Sequence, residues 1–210
     1  MKTLFIVGGS STALEIREVA NLFYKDRFDV ILNVVADGES CSYSFVEDKG
    51  LLDSIKASDE VYFIVGLTNV GLKKKYINLF ESHQGLPTNI IHPDVFIAPS
   101  ATLGKGNFIT CQSIISTQAA IGNHNIINYQ VMIGHDVVIG DNCTLNPGCK
   151  LSGHVKLGDN SMVGSNSFIL QGVKIASDVK IDAMTYISRD IDEPATYSGN
   201  FGFKKFKNQQ

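Results

Sequence analysis

From Ile91 onward, every sixth residue is a large aliphatic. The register runs Ile91, Ile97, Leu103, Ile109, Ile115, Ile121, Ile127, Ile133, Ile139, Leu145, Leu151, Leu157, Val163, Ile169, Ile175, Ile181 and Ile187, seventeen positions without an exception. About a fifth of residues in an average protein are Ile, Leu or Val, so chance does not produce such a run. A second register lies four residues after the first. It holds Val95, Ala101, Asn107, Ser113, Ala119, Asn125, Val131, Val137, Cys143, Cys149, Val155, Ser161, Ser167, Val173, Val179 and Thr185, all small or medium in size. The position directly after the aliphatic is often Gly, Ala, Asn or Ser, residues that tolerate turns.

A period of six suits neither an α-helix nor a simple strand. It suits a parallel β-helix of hexapeptides, in which each hexad gives one short strand and one corner. Three hexads close a triangular coil. Sixteen full hexads from Ile91 to Tyr186 predict about five coils with no insertion. At the usual strand spacing the prism is roughly 25 Å tall. Residues eighteen apart then stack on one another. Cys143 and Cys149 fall on the small inward register, so packing is their expected role. Gly134 and Gly140 are expected at corners. The intervening pair, His135 and Asp136, falls at outward positions that packing does not explain.

Residues 1–90 follow other periods. TLFIVGG is an apolar run closed by glycines, and STALEIREVANLFYKD carries a helical stripe at Leu14, Ile16, Val19, Ala20 and Phe23. Ser11 or Thr12 is expected to cap that helix. DVILNVVAD and EVYFIVG read as further buried strands, NVGLKKKYINLFESHQ as a second helix, and TNIIHP as the lead into the prism. Alternating strands and helices predict a small parallel sheet of Rossmann-like βαβ type. The turns at Gly8–Ser10, Asp37 and Gly66–Asn69 should share one sheet edge, where such folds bind ligands. GGSS lacks the full dinucleotide spacing. It still leaves backbone N–H groups at a helix N-terminus, suited to a phosphate. Asp37 is placed to accept from ribose hydroxyls, or simply to cap a turn.

The net charge of −3 does not support a nucleic-acid binder, and no apolar run reaches the length of a membrane helix. MKTLFIVGG reads as a first strand rather than a signal peptide. Cys41, Cys111, Cys143 and Cys149 show no CxxC spacing, which fits reduced thiols in a cytoplasmic protein.

The Rossmann-like front, the junction Ile91-His92-Pro93, the hexapeptide repeats and the GHD motif together resemble the nucleotide-sugar N-acetyltransferases of bacillosamine and perosamine type. The sialic acid O-acetyltransferases are similar in outline. The resemblance spans nearly the whole chain. It implies an α/β N-terminal Rossmann-like domain over residues 1–90, an all-β left-handed parallel β-helix over 91–190, and a tail over 191–210. It implies a homotrimer with active sites between neighbouring prisms, acetyl-CoA as cosubstrate without a metal, and a nucleotide-linked 4-amino-4,6-dideoxy sugar as acceptor. Carried over by position, His135 is the general base, with Asp136 and Asn128 beside it. Gly9, Ser10, Ser11, Asp37, Gly66 and Asn69 meet the nucleotide-sugar, and Thr144, Gly153, Ser165 and Ala183 meet acetyl-CoA. The chain also departs from the pattern. Thr144 stands where relatives carry a second histidine, serines replace glycines in the first turn, and the tail reads GNFG (199–202) rather than GNPA.

The chemistry is consistent with direct attack of a sugar amine on the thioester. Imidazole is the side chain suited to accept that proton near neutral pH. A carboxylate would hold the ring and favour the imidazolium. Neighbouring residues on an extended chain point apart, so an Asp136–His135 contact requires corner geometry. A backbone N–H near Gly153 would stabilise the oxyanion, a contribution of ~3 kcal/mol. His154 stacks over Asp136 and is read as a solvated corner, with a bond to Asp136 or a place facing CoA as alternatives. His124 falls on a different face, His92 at the domain junction and His83 at a helix end. The spacing of His124, His135 and His154 argues against a zinc enzyme. Acetylation of a hydroxyl on a sugar or sialic acid, and a non-catalytic β-helix scaffold, are the competing readings. Lys204, Lys205 and Lys207 are expected in a solvated tail.

Overall fold

The computed structural model of the chain describes residues 1–199. The front unit contains β1 (Lys2–Val7), α1 (Ser11–Phe23), β2 (Val30–Val35), β3 (Phe45–Glu47), α2 (Leu51–Lys56), β4 (Glu60–Val65), α3 (Val70–Ser82) and β5 (Leu86–Pro87). The strands form one parallel sheet in the order β3-β2-β1-β4-β5. Side chains alternate across it, as the pleat requires. Phe5, Val7, Phe63 and Val65 face Leu51, Ile55, Ile77 and Phe80 on one side. Leu4, Ile6 and Ile64 face Ile16 and Ala20 on the other.

The repeat builds a left-handed parallel β-helix with three walls of stacked two-residue strands. The first wall runs from Ile90–Ile91 to Thr196–Tyr197, the second from Phe96–Ile97 to Tyr186–Ile187, and the third from Thr102–Leu103 to Lys174–Ile175. Partners are eighteen residues apart, as in Ile115↔Ile133 and Ile133↔Leu151. Both predicted inward registers are buried in one core, with Ile133, Leu145, Leu151, Val163, Cys143 and Cys149 inaccessible to solvent. Burial of that kind stabilises by about 1.5–3 kcal/mol per large side chain. It also pushes the Cys143 and Cys149 thiols up to about 12, consistent with packing rather than reactivity. The last coil is shorter, because Ile191 bridges to Ile175 and Thr196 pairs with Lys180. The tail residues 200–210, including Lys204, Lys205, Lys207 and the end of the GNFG segment, lie outside the described residues.

Gly134 and Gly140 stand where a strand enters its corner, as expected, and the left-handed residue of the corner comes two positions later, at Asp136 and Asn142, with φ of 58° and 60°. The same conformation recurs at His124, His154, Asn160, Asn166 and Asp178. Asn and Asp tolerate it because their short polar side chains bond locally. Gly134 and Gly140 are glycines for close approach. A Cβ at Gly134 would lie 2.8 Å from the Gly153 nitrogen, and one at Gly140 would strike Asp159.

Front unit and prism share an interface. Ile90, Phe108 and Ile126, outward residues of the first wall, join the core beneath α1. The Tyr24 hydroxyl accepts from Ile91 N–H and donates to Ile91 C=O, each at 3.0 Å. It thereby pairs the free edge of the first prism strand, which would otherwise expose unpaired backbone. His92 meets Phe23 edge-on, the junction position expected for it. His83 ends α3, its Nδ1 2.8 Å from the Leu79 carbonyl oxygen.

Candidate active site

His135 and Asp136 sit at the corner between the second and third walls. Asp136 N–H donates to Thr117 C=O below, and His154 N–H donates to His135 C=O, so three coils hold this edge. The left-handed Asp136 backbone turns its carboxylate back along the chain. His135 Nδ1 lies 2.8 Å from Asp136 Oδ2. Since a carboxylate only accepts, Nδ1 donates to it, and Nε2 is the ring nitrogen left to face a reactant. The Nε2 side of the ring lies against Gly153. A Cβ there would stand 2.4 Å from Nε2.

His154 is not a merely solvated corner. Its ring packs edge-on to His135 with centroids 4.9 Å apart, and its Nε2 is 3.9 Å from Asp136 Oδ2. The His135, Asp136 and His154 side chains are 49%, 39% and 56% exposed, so the cluster is open to a reactant. The sequence placed His154 over Asp136 but not against His135. The left-handed turn swings each corner side chain sideways, which stacking by eighteens does not show.

Asn128 is not brought to this cluster within the chain. It stands at the corner between the first and second walls, and both its backbone N–H and its Nδ2 donate to Leu145 C=O. Ser165 and Ala183 lie on that same edge in higher coils, where a Cβ on Gly164 would be 2.3 Å from the Ala183 nitrogen. The second wall thus separates the His135–Gly153 edge from the Asn128–Ser165–Ala183 edge. Thr144 lies elsewhere again, buried on the outward face of the first wall under the front unit. It lines a cavity of about 270 Å³ with Asn69, Val70, Met162 and Lys180. Asn69 and Thr144, assigned to different ligands by sequence, therefore meet.

The other front-unit residues share one sheet edge, as expected for strands in parallel register. Gly8 N–H donates to Val34 C=O and Gly66 N–H to Val7 C=O. Gly9 and Gly66 are required by packing: a Cβ on the first would lie 2.9 Å from Val35 Cγ1, and on the second 2.8 Å from Ala13 Cα. The expected cap is corrected. Ser10, not Ser11 or Thr12, occupies the N-cap of α1, and its side chain makes no capping bond. The first-turn amides of Ser11 and its successors therefore lack the usual side-chain acceptor. Asp37 lies beyond the end of β2, and its Oδ1 accepts from Lys49 N–H. Asn69 caps α3 through Leu72 N–H.

Two buried groups at the domain interface were not anticipated. Lys73 of α3 is 1% exposed and donates to the His124 carbonyl at 2.6 Å. Desolvation lowers its pKa to about 8. His124 stacks on Phe63, apart from His135, and burial with the nearby Lys73 charge pushes it down to about 4. The helical spacing of Lys73 with Tyr76, Ile77 and Phe80 was the available signal for its burial.

The bacterial transferase hexapeptide model matches residues 119–153, and the hexapeptide repeat of succinyl-transferase matches 154–189. Among curated protein sequences none matches the chain. Solved structures do. The acetyltransferase domain of PglB from Neisseria gonorrhoeae superposes with a TM-score of 0.86 at 21% identity, over 96% of this chain and 98% of that one. PerB from Caulobacter crescentus, solved with CoA and GDP-perosamine, gives 0.85 at 25% identity over 95% of each chain. A perosamine N-acetyltransferase structure from the same organism gives 0.86 at 24%, over 95% and 94%. Repeat and superposition define the fold: a hexapeptide-repeat β-helix behind a Rossmann-like front unit. The chain is similar in its two-domain build to these structures over about 95% of its length. No helix among the described residues is long and apolar enough to cross a membrane.

Proposed function

We propose that the chain transfers acetyl from acetyl-CoA to the amino group of a nucleotide-linked 4-amino-4,6-dideoxy sugar. The observation that carries this reading is the Asp136–His135 pair resting on Gly153, with Nδ1 engaged by the carboxylate and Nε2 turned away from it at an exposed edge of the prism. The amine lone pair attacks the thioester carbonyl and its proton passes to His135 Nε2. Asp136 stabilises the resulting imidazolium. The tetrahedral intermediate collapses, expelling the CoA thiolate, which takes the proton. A backbone N–H at Gly153 serves the oxyanion. The likeness to PerB, whose structure holds CoA and GDP-perosamine, supports both reactant classes.

In this reading the nucleotide phosphates meet the uncapped first turn of α1 at Ser10 and Ser11, beside Gly9, Asp37, Gly66 and Asn69. CoA runs along the Ser165 and Ala183 edge, which one chain holds apart from His135. The site is therefore shared between chains, as a trimer of parallel prisms would provide. The second wall supports it with an outward face that is apolar apart from Lys150. Phe96, Ile114 and Tyr186 are 60%, 45% and 59% exposed there, above what single scattered apolar residues need.

The test is CoA release from acetyl-CoA with a panel of UDP-, dTDP- and GDP-linked 4-amino sugars, and with the matching 4-hydroxy sugars. Turnover with one amine and none with its hydroxyl counterpart supports the proposal. Turnover with hydroxyls alone replaces it with O-acetylation, and turnover with neither favours a scaffold.

A further inference from the structure

The edge that carries His135 holds three metal-ligating side chains, not two. One donor atom from each of His135, Asp136 and His154 lies within 4.8 Å of the others, and all three side chains reach solvent. The backbone fixes two of the spacings. Asp136 and His154 are both left-handed, with φ of 58° and 61°, and His154 N–H is bonded to His135 C=O at 2.9 Å. Asp136 Oδ2 stands between the two rings, 2.8 Å from His135 Nδ1 and 3.9 Å from His154 Nε2. A tetrahedral zinc ion with ligands at about 2.1 Å separates its donors by about 3.4 Å. The two observed spacings bracket that value, and the two imidazole donors lie within 4.8 Å of each other. Two imidazoles and a carboxylate are a borderline donor set, suited to Zn²⁺ rather than Mg²⁺ or Ca²⁺. A water would complete the shell.

We propose that this cluster is an inhibitory site for a divalent transition cation, taken by Zn²⁺ at the Nδ1 side of His135. The cation displaces the hydrogen bond from Nδ1 to Asp136 and takes the Nδ1 lone pair. The ring proton then resides on Nε2, where the base needs its lone pair. His135 gains and loses no net proton in this exchange. Occupancy thus converts the base into a donor without blocking the Gly153 side of the ring. His124 of the prism takes no part, since it is buried against Phe63. Inhibition rests on the reading of His135 as base, whereas binding of the cation does not.

The test titrates the full chain with ZnCl₂ by calorimetry. His154→Asn is the main variant, because Asn accepts the left-handed backbone and so preserves the corner. Asp136→Asn is the second. Wild type is expected to bind one Zn²⁺ per chain, and each variant about tenfold or more weaker. Acetyl transfer is then followed with Zn²⁺, by separating CoA from acetyl-CoA, each variant compared with its own cation-free rate. Chelator-reversible inhibition of wild type, shifted about tenfold or more to higher Zn²⁺ in His154→Asn, supports the proposal. Binding of equal strength in wild type and His154→Asn overturns the site. Binding that leaves transfer unslowed overturns the inhibition. If transfer also survives His135→Ala, the failure lies with the assignment of the base.

Discussion

The Nε2 edge of His135 rests against the α-carbon of Gly153, so closely that a methyl group there would stand 2.4 Å from the nitrogen. The backbone of Gly153 is outside the left-handed region, so alanine is sterically permitted by the chain itself. Only the imidazole must move. Gly153→Ala is therefore expected to leave the thermal midpoint within a few degrees of wild type. It should lower kcat/KM by about a hundredfold, because misplacing a base by an ångström has that cost. Thermal unfolding and steady-state kinetics on one preparation check both halves.

The proposed function gives Asp136 a role beside His135 as well as one in the turn, and substitutions separate the two. Asp136→Asn keeps a residue that tolerates φ of 58° but removes the charge beside His135. It is expected to fold normally and to lose at least about tenfold in kcat, or roughly 1.4 kcal/mol of barrier. Asp136→Ala should lose activity and also about 1–2 kcal/mol of stability, since alanine resists the left-handed turn. Urea denaturation distinguishes the two.

Lys73 predicts a stability profile at high pH. The unfolded chain holds its proton to about pH 10.5, the folded chain only to about 8. The unfolded state binds more protons within that window, so folding stability rises with pH across it, by about 3 kcal/mol at most. Lys73→Met should lack this rise. The difference between wild-type and variant denaturation curves at pH 8 and pH 10 isolates it from other titrations. His124, lowered to about 4, acts at the acid end, where stability is lost as pH falls below about 6.5.

A site shared between chains, as proposed, would make assembly a condition of activity. Ile114→Glu places a carboxylate in the middle of the apolar second wall, between Phe96 and Met132, without touching the inward register. Sedimentation should show trimer for wild type and monomer for the variant, with transfer activity falling at least about tenfold. A monomeric variant of full activity would refute the shared site.

The prism was legible almost residue by residue, because a period of six has one packing solution and the inward registers admit only aliphatic or small side chains. The βαβ front was legible where runs were long. β3, α2 and β5 were not, since the 39–59 segment mixes Ser, Asp, Glu and Lys without a clean period and β5 is a two-residue edge strand containing Pro87. The His135–Asp136 pair could be named from sequence, but its contact could not. That contact depends on which corner residue turns left-handed, and the repeat alone does not mark it as Asp136. The ring contact of His154 with His135 and the burial of Lys73 were missed for a related reason. Both acquire their neighbours from coils or helices distant in sequence.

The most direct measurement is the rate of CoA release by His135→Ala against wild type, with the best amine of the nucleotide-sugar panel at saturating acetyl-CoA. The account predicts a fall of about a hundredfold or more with the trimer intact, since general-base catalysis contributes at least that much. A variant that keeps most of the wild-type rate would remove His135 from the proton transfer and contradict the assignment of this edge as the active site.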